Sequence, residues 1–591
     1  MSIDNNDNTK RNRGISLSLT ALSKKKRKNQ ADMDRNRRRI SIGDHNSDKL
    51  NPEHLSRTQI KNGIRLKILF AVTCVVVFIA CCTVLGLYIK EKRKEKYGGF
   101  QQTFVKDRCS GGWSTVLKTS TNGTAITGRK RDLVDRLVAG DDIRISFNEK
   151  TYFTSIQSAT LTENDNVCVQ ALFQLSRSLS NTDFDSDIHW EFLIVCTTGH
   201  LHVSKWSVGE HVNRGRETGR ADIEWYVRSQ SGQKRVFCNT YTGGRICGEI
   251  SLLEKAVYNG ASVKVFNPED GFITSLTRVD VSSDSSSIHG QYPWRLGQIK
   301  VDEGYEFPTR VFWWLTIWST TGLIPTSQWF VGEHTNRLRS LENASMEWIV
   351  DDCWTQTYTN DFFGNSLNGS LDLLVEAVLA GKRVRVKIDL EEYVVETDNL
   401  FIKDGHVSAQ LLGQYTKTRR AYDLPTNVSW VWSSVSTTGH ITTVHNSIGI
   451  SHLKYTRGGD EETTWFVESR PWSRVLTTSS TGIATQGSKA NLITALQRGY
   501  SLRLVVYEEE DSVSVIEADN IFIQNSEVSV QTIRYIGDEN GTRTIPTHYP
   551  VYWRFIMTST DGKQRVVLWK VGEHSSLPAT TKNYRVDWVV G

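Results

Sequence analysis

The chain is short of cysteine for its length, with nine in 591 residues. Three of these, Cys74, Cys81 and Cys82, fall within its one long apolar run and read there as plain apolar residues. The other six are Cys109, Cys168, Cys196, Cys238, Cys247 and Cys353. Their spacing is not that of a metal site, and they are too few to staple the 495 residues that follow Lys96. A disulfide-dense scaffold is therefore excluded, and the fold must rest on buried apolar cores. No long Pro/Gly/Ser linker breaks those residues, so their parts should abut closely. An even count of six permits three bridges: Cys238 with Cys247 across a hairpin, Cys168 with Cys196 between two strands, and Cys109 with Cys353 between units or between chains.

The apolar run, Ile68 to Ile89, holds 22 residues and no charge. A helix of that length spans roughly 33 Å, enough for a bilayer core of about 30 Å. It starts too far into the chain for a signal peptide. Before it, residues 1–67 carry 17 Lys/Arg against 7 Asp/Glu, lack apolar periodicity, and read as a disordered basic tail. The +6 net charge of the chain thus comes from the tail, and no folded part reads as a nucleic-acid binder. Beside a membrane span, the block Lys24–Lys28 is a topology signal or a patch for anionic lipid. Ser41 follows Arg38-Arg39-Ile40 as a basophilic phosphorylation site would. A short basic segment, 90–104, follows the span, and its Lys/Arg-rich start offers a place for shedding. The glycosylation sequons at Asn122, Asn343, Asn368, Asn427 and Asn540 all lie after the span. Together these features predict a type II cell-membrane protein with a cytosolic N-terminus.

The remainder repeats. Trp190, Gly199, Gly209 and Trp225 recur as Trp313, Gly322, Gly332, Trp348, as Trp430, Gly439, Gly449, Trp465, and as Trp553, Gly562, Gly572, Trp588. Earlier in each copy, Gly123, Gly243, Gly364 and Gly482 precede Gly140, Gly260, Gly381 and Gly499 by one constant interval. Trp113, Trp354 and Trp472 open three copies, where the second has Gln233. These registers predict four units, 105–229, 230–351, 352–469 and 470–591. Each reads as a mainly β, sandwich- or barrel-like unit with one short helix. Leu133/Leu137, Leu253/Val257, Leu374/Val378 and Leu492/Leu496 give the helical i, i+4 pairs, each ending at a glycine. The alternating Ile143-Arg144-Ile145 and its three counterparts predict a strand with one buried face. Length varies within 176–189, 279–305, 412–427 and 535–550, which should be the surfaces where the units diverge.

The chemistry-bearing motifs are sparse. Val208–His211, Val331–His334 and Val571–His574 repeat Val-Gly-Glu-His, which reads as a structural turn. The recurring Trp positions read as core. Trp294, Trp314 and Trp318 lie outside that register and are the ligand-contact candidates. Asp185-Ser186-Asp187 resembles the metal clamp of sugar-transferring enzymes, but the repeats leave no room for their nucleotide-binding sheet. No catalytic residue, metal or cofactor is expected. The expected function is cell-surface recognition or adhesion, with a protein or glycan ligand. The alternatives are a membrane-anchored secretory-pathway enzyme and an oligomeric attachment glycoprotein.

Overall fold

The computed structural model describes Cys109 and residues 111–591, apart from 148–151, 157, 176–188, 208–212, 229–232, 283–285, 302–303, 309–310, 331–335, 389–392, 398, 416–428, 448–452, 510–511, 519, 538–551 and 571–579. The tail with Ser41, the run 68–89, the segment 90–104, Asn427, Asn540, Asp185–Asp187 and the three Glu-His pairs lie outside the described residues. Among the described residues, no helix is long and apolar enough to cross a membrane.

The described chain is mainly β, with antiparallel sheets and short helices. Four helices of nine residues each are α1 (Lys130–Val138), α2 (Ile250–Tyr258), α3 (Leu371–Leu379) and α4 (Lys489–Gln497). Each buries its i, i+4 apolar pair, with Leu133, Leu253, Leu374 and Leu492 fully enclosed. Each ends in the same paired hydrogen bonds. Gly140, Gly260, Gly381 and Gly499 donate to the last turn with φ between +78° and +94°, and the following residue donates one carbonyl further back. This is the left-handed termination that glycine permits.

The sheets depart from the sequence expectation of self-contained units. Four ten-stranded sheets are present among the described residues, and each takes five strands from one segment and five from the next. In one, Arg245–Gly248, Gln233–Asn239, Met346–Asp351, Ser262–Asn267 and Phe272–Leu276 continue into Ser158–Leu161, Val167–Leu175, His189–Cys196, His200–Ser207 and Asn213–Arg220. The seams are Ser158–Leu161 on Phe272–Leu276, Arg278–Val281 on Tyr393–Glu396, Asn399–Lys403 on Ser512–Glu517, and Asn520–Gln524 on Tyr152–Ile156. The last seam joins the fourth segment to the first, so the pairing closes in a ring. In every segment the chain passes from one sheet to the next within one or two residues. A lone segment would therefore expose an unpaired strand edge on each side. One outer edge of each sheet is short: Ala125–Thr127, Arg245–Gly248, Ser366–Gly369 and Ala484–Gly487 are only three or four residues long, whereas three of the opposite edges, Asn213–Arg220, Asn336–Asn343 and Leu453–Asp460, run to eight.

Trp225, Trp348, Trp465 and Trp588 are wholly buried at equivalent positions. Their indole N–H groups donate to Thr119, Asn239, Asn360 and Thr478, one acceptor in each segment, at 2.9–3.4 Å. The indole polarity is thus satisfied inside the core. Trp190, Trp313, Trp430 and Trp553 are half-buried around a shared cluster containing Phe192, Phe555 and Met557. Trp190 meets Phe555, Trp313 meets Phe192 and Trp553 meets Trp432, with centroids 5.3–5.9 Å apart. Each contact reaches into the preceding segment around the ring.

The three expected disulfides form within one chain: Cys109–Cys353, Cys168–Cys196 and Cys238–Cys247. The two local bridges join residues directly opposite in register. Cys109 and Cys353 close a loop of 244 residues, and their mutual pairing leaves neither thiol for a bond between chains. Cys353→Ser should lower unfolding stability by about 2–5 kcal/mol in urea titration. The wild-type chain should run as a monomer on a non-reducing gel, and a disulfide-linked dimer would contradict this pairing.

The helix-ending glycines also carry the inter-segment contact. A Cβ at Gly260 would lie 2.4 Å from the Phe466 ring of the next segment. Gly405 has a similar positive φ but nothing within 4 Å. Gly260→Ala should therefore cost about 3 kcal/mol or more, and Gly405→Ala only about 1–2 kcal/mol. Thermal denaturation of the two variants separates backbone strain from the lost close approach.

Candidate functional site

The strands that follow the helices place a basic residue where the sequence pattern predicts a solvent face. That expectation is wrong: Arg144, Arg385 and Arg503 are at most 1 % exposed. The reason is the neighbouring segment. Arg144 donates to the carbonyls of Gly499 (3.3 Å) and Tyr500. Arg385 donates to Gly260 (3.2 Å) and Ala261, and Arg503 to Gly381 (3.0 Å) and Lys382. Lys264 donates to the Gly140 carbonyl and, at 2.6 Å, to Asp142. Each cation thus caps the C-terminal end of the preceding helix, where the carbonyl dipoles favour positive charge. Burial pushes the Arg144 guanidinium down to about 10, which still leaves it charged at neutral pH.

Trp354 covers Arg385 at 5.5 Å and Trp472 covers Arg503 at 5.8 Å. The second segment has Gln233 in place of the Trp and Lys264 in place of the Arg. The smaller ammonium takes Asp142 as its partner instead of an aromatic face. A shallow cleft of about 260 Å³, open solvent included, borders this pair, with apolar Leu137, Ile143, Ile156, Ala159 and Ile273 beside polar Asp141, Ser158, Thr274 and Ser275.

A buried ionic cluster extends from these latches. Arg470 bonds Glu468 at 2.6 Å and Asp351, and Trp472 Nε1 donates to Glu468 at 2.9 Å. Arg383 pairs with Glu517. Burial alone would raise the Glu468 carboxyl, but Arg470, Arg383 and Arg228 outweigh it and hold it down to about 2. The same competition, with Lys264, Arg470 and Arg383 prevailing over burial, keeps Asp142 well below the carboxylate range. Asp351, Asp352 and Cys353 sit close together, but Cys353 is in a disulfide and Asp351 holds Arg470, so the group is no metal centre. Within the cluster these charged groups hold one another in place.

Because these carboxyls are depressed on folding, the stability they contribute is present above the unfolded value of about 4.3 and lost as pH falls through about 2. The melting temperature should fall across that window. Glu468→Gln should cost about 3–5 kcal/mol at neutral pH, by leaving Arg470 partly unpaired, and should flatten the acid limb. An unchanged acid limb in scanning calorimetry would remove Glu468 from this role.

The ligand-contact candidates fare differently. Trp318 is only 2 % exposed and stacks on Phe272 at 5.7 Å, so it belongs to the core and is no contact residue. From Leu315 to Ser319 the strand Phe312–Ser319 is buried on both faces, so either orientation encloses it. Trp314 is half-buried beside Phe312 at 5.8 Å. Trp294 lies in the strand Ile288–Leu296, with its side chain outside the described residues. The described residues of the stretch 279–305 are partly enclosed. Val279, Ile288 and Leu296 are buried, and Gln298 bonds Thr160 of the first segment at 2.8 Å. Of the sequons, Asn122, Asn343 and Asn368 are exposed.

Surface chemistry concentrates elsewhere, on the outer hairpin and the first helical turn. In the second segment this face shows Tyr241 (58 % exposed), Ile246 (62 %) and Leu252 (52 %). The equivalent residues are Phe362, Leu367 and Leu373 in the third, all exposed. They are Thr121, Ile126 and Asp132 in the first, and Ser480, Thr485 and Asn491 in the fourth. No signal in periodicity marks these residues, because they replace polar ones at positions that the fold leaves free. Comparing the copies position by position exposes them. No protein-family model matches the chain, and no curated protein matches it.

Proposed function

We propose that this chain is a single-pass type II cell-surface glycoprotein whose four-unit outer part recognises a protein or glycan ligand. The observation that carries this reading is the apolar face of Tyr241, Ile246 and Leu252. Large apolar side chains that face solvent together mark binding surfaces. Among the described residues, those shared by all four units serve cores, turns and junctions, whereas this face differs from copy to copy on an equivalent support. Such a division suits recognition: a rigid frame presents variable contacts. Arg245 and Glu249 pair beside it and supply a polar rim. The charge bias before the apolar run 68–89 and the one-sided sequons support the orientation.

The test uses cells displaying the full chain with a C-terminal tag. The tag should be stained on intact cells. Adhesion of these cells to other cells, to matrix proteins and to immobilised glycans should drop about tenfold for Tyr241→Ser/Ile246→Ser, as expected when anchor residues are removed. Adhesion equal to that of the wild type on every surface, with equal display, would sink the assignment of this face.

A further inference from the structure

The third segment carries the same apolar face as the second, enlarged by Phe363, which is 73 % exposed and 4.0 Å from Phe362 between ring centroids. Phe362, Phe363, Leu367 and Leu373 thus stand in solvent around one hairpin and one helix start. One feature separates this face from its counterpart in the second segment. Where the second has Cys247, tied to Cys238, the third has Asn368, exposed in the edge strand Ser366–Gly369. Asn368-Gly369-Ser370 is a glycosylation sequon.

The geometry points to an N-glycan on Asn368 that lies over the exposed Phe362–Phe363 turn at the end of its own hairpin. Asn368 is directly opposite Thr359 in register, so the Phe362–Phe363 turn lies about 10 Å further along the hairpin. Tyr358, next to Thr359, packs with Leu374 and Val378 of α3, so Thr359 and Asn368 share the sheet face away from that helix, and Leu373 stays outside the glycan's cover. A pyranose ring has an apolar C–H face that packs on aromatic and aliphatic side chains and a polar rim that stays hydrated. The sugar therefore removes apolar surface from water without demanding a protein partner. The other two described sequons follow the same placement. Asn343 is directly opposite exposed Leu323 and two residues from exposed Leu341 on one strand face. Asn122 lies in the hairpin that carries exposed Ile126.

In the attachment step the Asn368 Nδ2 bonds to the anomeric carbon of a lipid-diphosphate-linked oligosaccharide. The carbon–oxygen bond to the diphosphate breaks, the lipid diphosphate leaves, and one amide proton is released. Ser370 keeps its place as the N-cap of α3, accepting from Leu373 N at 3.4 Å.

This inference rests on the outside placement of the four units, and the experiment separates the two. The full chain is made in glycosylating animal cells as wild type, Asn368→Gln, Phe363→Ser and the double variant. Glycopeptide mass spectrometry should find Asn368 occupied. Asn368→Gln should raise bis-ANS fluorescence about twofold, by uncovering apolar surface, and lower the melting temperature. In the Phe363→Ser background the same change should do neither, because the surface that the glycan covers is gone. Occupied Asn122 or Asn343 with bare Asn368 would overturn the inference and leave the placement standing. So would equal effects of Asn368→Gln in both backgrounds. Bare asparagines at all three sites would overturn the placement, and the inference with it.

Discussion

The fold depends on a buried cation that reaches out of its own strand into the end of another segment's helix. Arg144, Lys264, Arg385 and Arg503 each donate to the carbonyl of the glycine that ends another segment's helix. A charged donor to such carbonyls is stronger than a neutral one, and removing it would bury orphaned acceptors. The latch also dictates local sequence. The helix must stop at a glycine, both because the backbone turns left-handed and because the next segment's strand presses against the stop. The seam strands then continue the sheet across the same junction.

Because the fourth junction joins the last segment to the first, the ring has no free seam. Closure explains why each segment can divide its strands between two sheets. The half-sheet that one segment cannot complete is completed by its neighbour, including across the join between Asn520–Gln524 and Tyr152–Ile156. Cys109–Cys353 adds a covalent tie from the start of the described chain to the point where the third segment begins. Stability in such an arrangement is shared among the segments, since no core is finished without its neighbours.

The junctions are equivalent in position but not in charge. Arg228, Asp351 and Glu468 occupy matching places after the buried Trp, and Asp142 and Arg383 occupy matching places after the helix. Arg383 of the third segment finds Glu517 of the fourth, and Arg470 at the start of the fourth finds Asp351 at the end of the second. Unlike charges at matching places let a segment distinguish its proper neighbour from a near-identical copy. The exchange of Trp and Arg for Gln233 and Lys264 is part of the same individuality: when the aromatic cover goes, the cation that lay under it goes too.

Much of this was legible in the sequence, because some constraints act over a few residues. The i, i+4 leucine pairs and their terminal glycines specified four helices, since a helix needs one apolar stripe and a left-handed stop wherever it occurs. Cys238–Cys247 and Cys168–Cys196 followed from hairpin and strand spacing. The constant register of Trp and Gly marked the copies. Local pattern failed where the deciding group comes from another segment. Arg144 looks like the wet face of a half-buried strand, and only the carbonyls of Gly499 and Tyr500 make it an interior residue. Trp318 looks like a spare aromatic until Phe272 stacks on it. The exposure of Tyr241, Ile246 and Leu252 was likewise hidden, because an apolar residue reads as buried until the fold leaves it uncovered. The sequence by itself determined the elements and their repetition, since those rest on backbone geometry and side-chain period. Whether the copies stand in a row or close on themselves was decided by tertiary structure alone, because that choice lies in strand pairing and charge contacts between residues hundreds of positions apart.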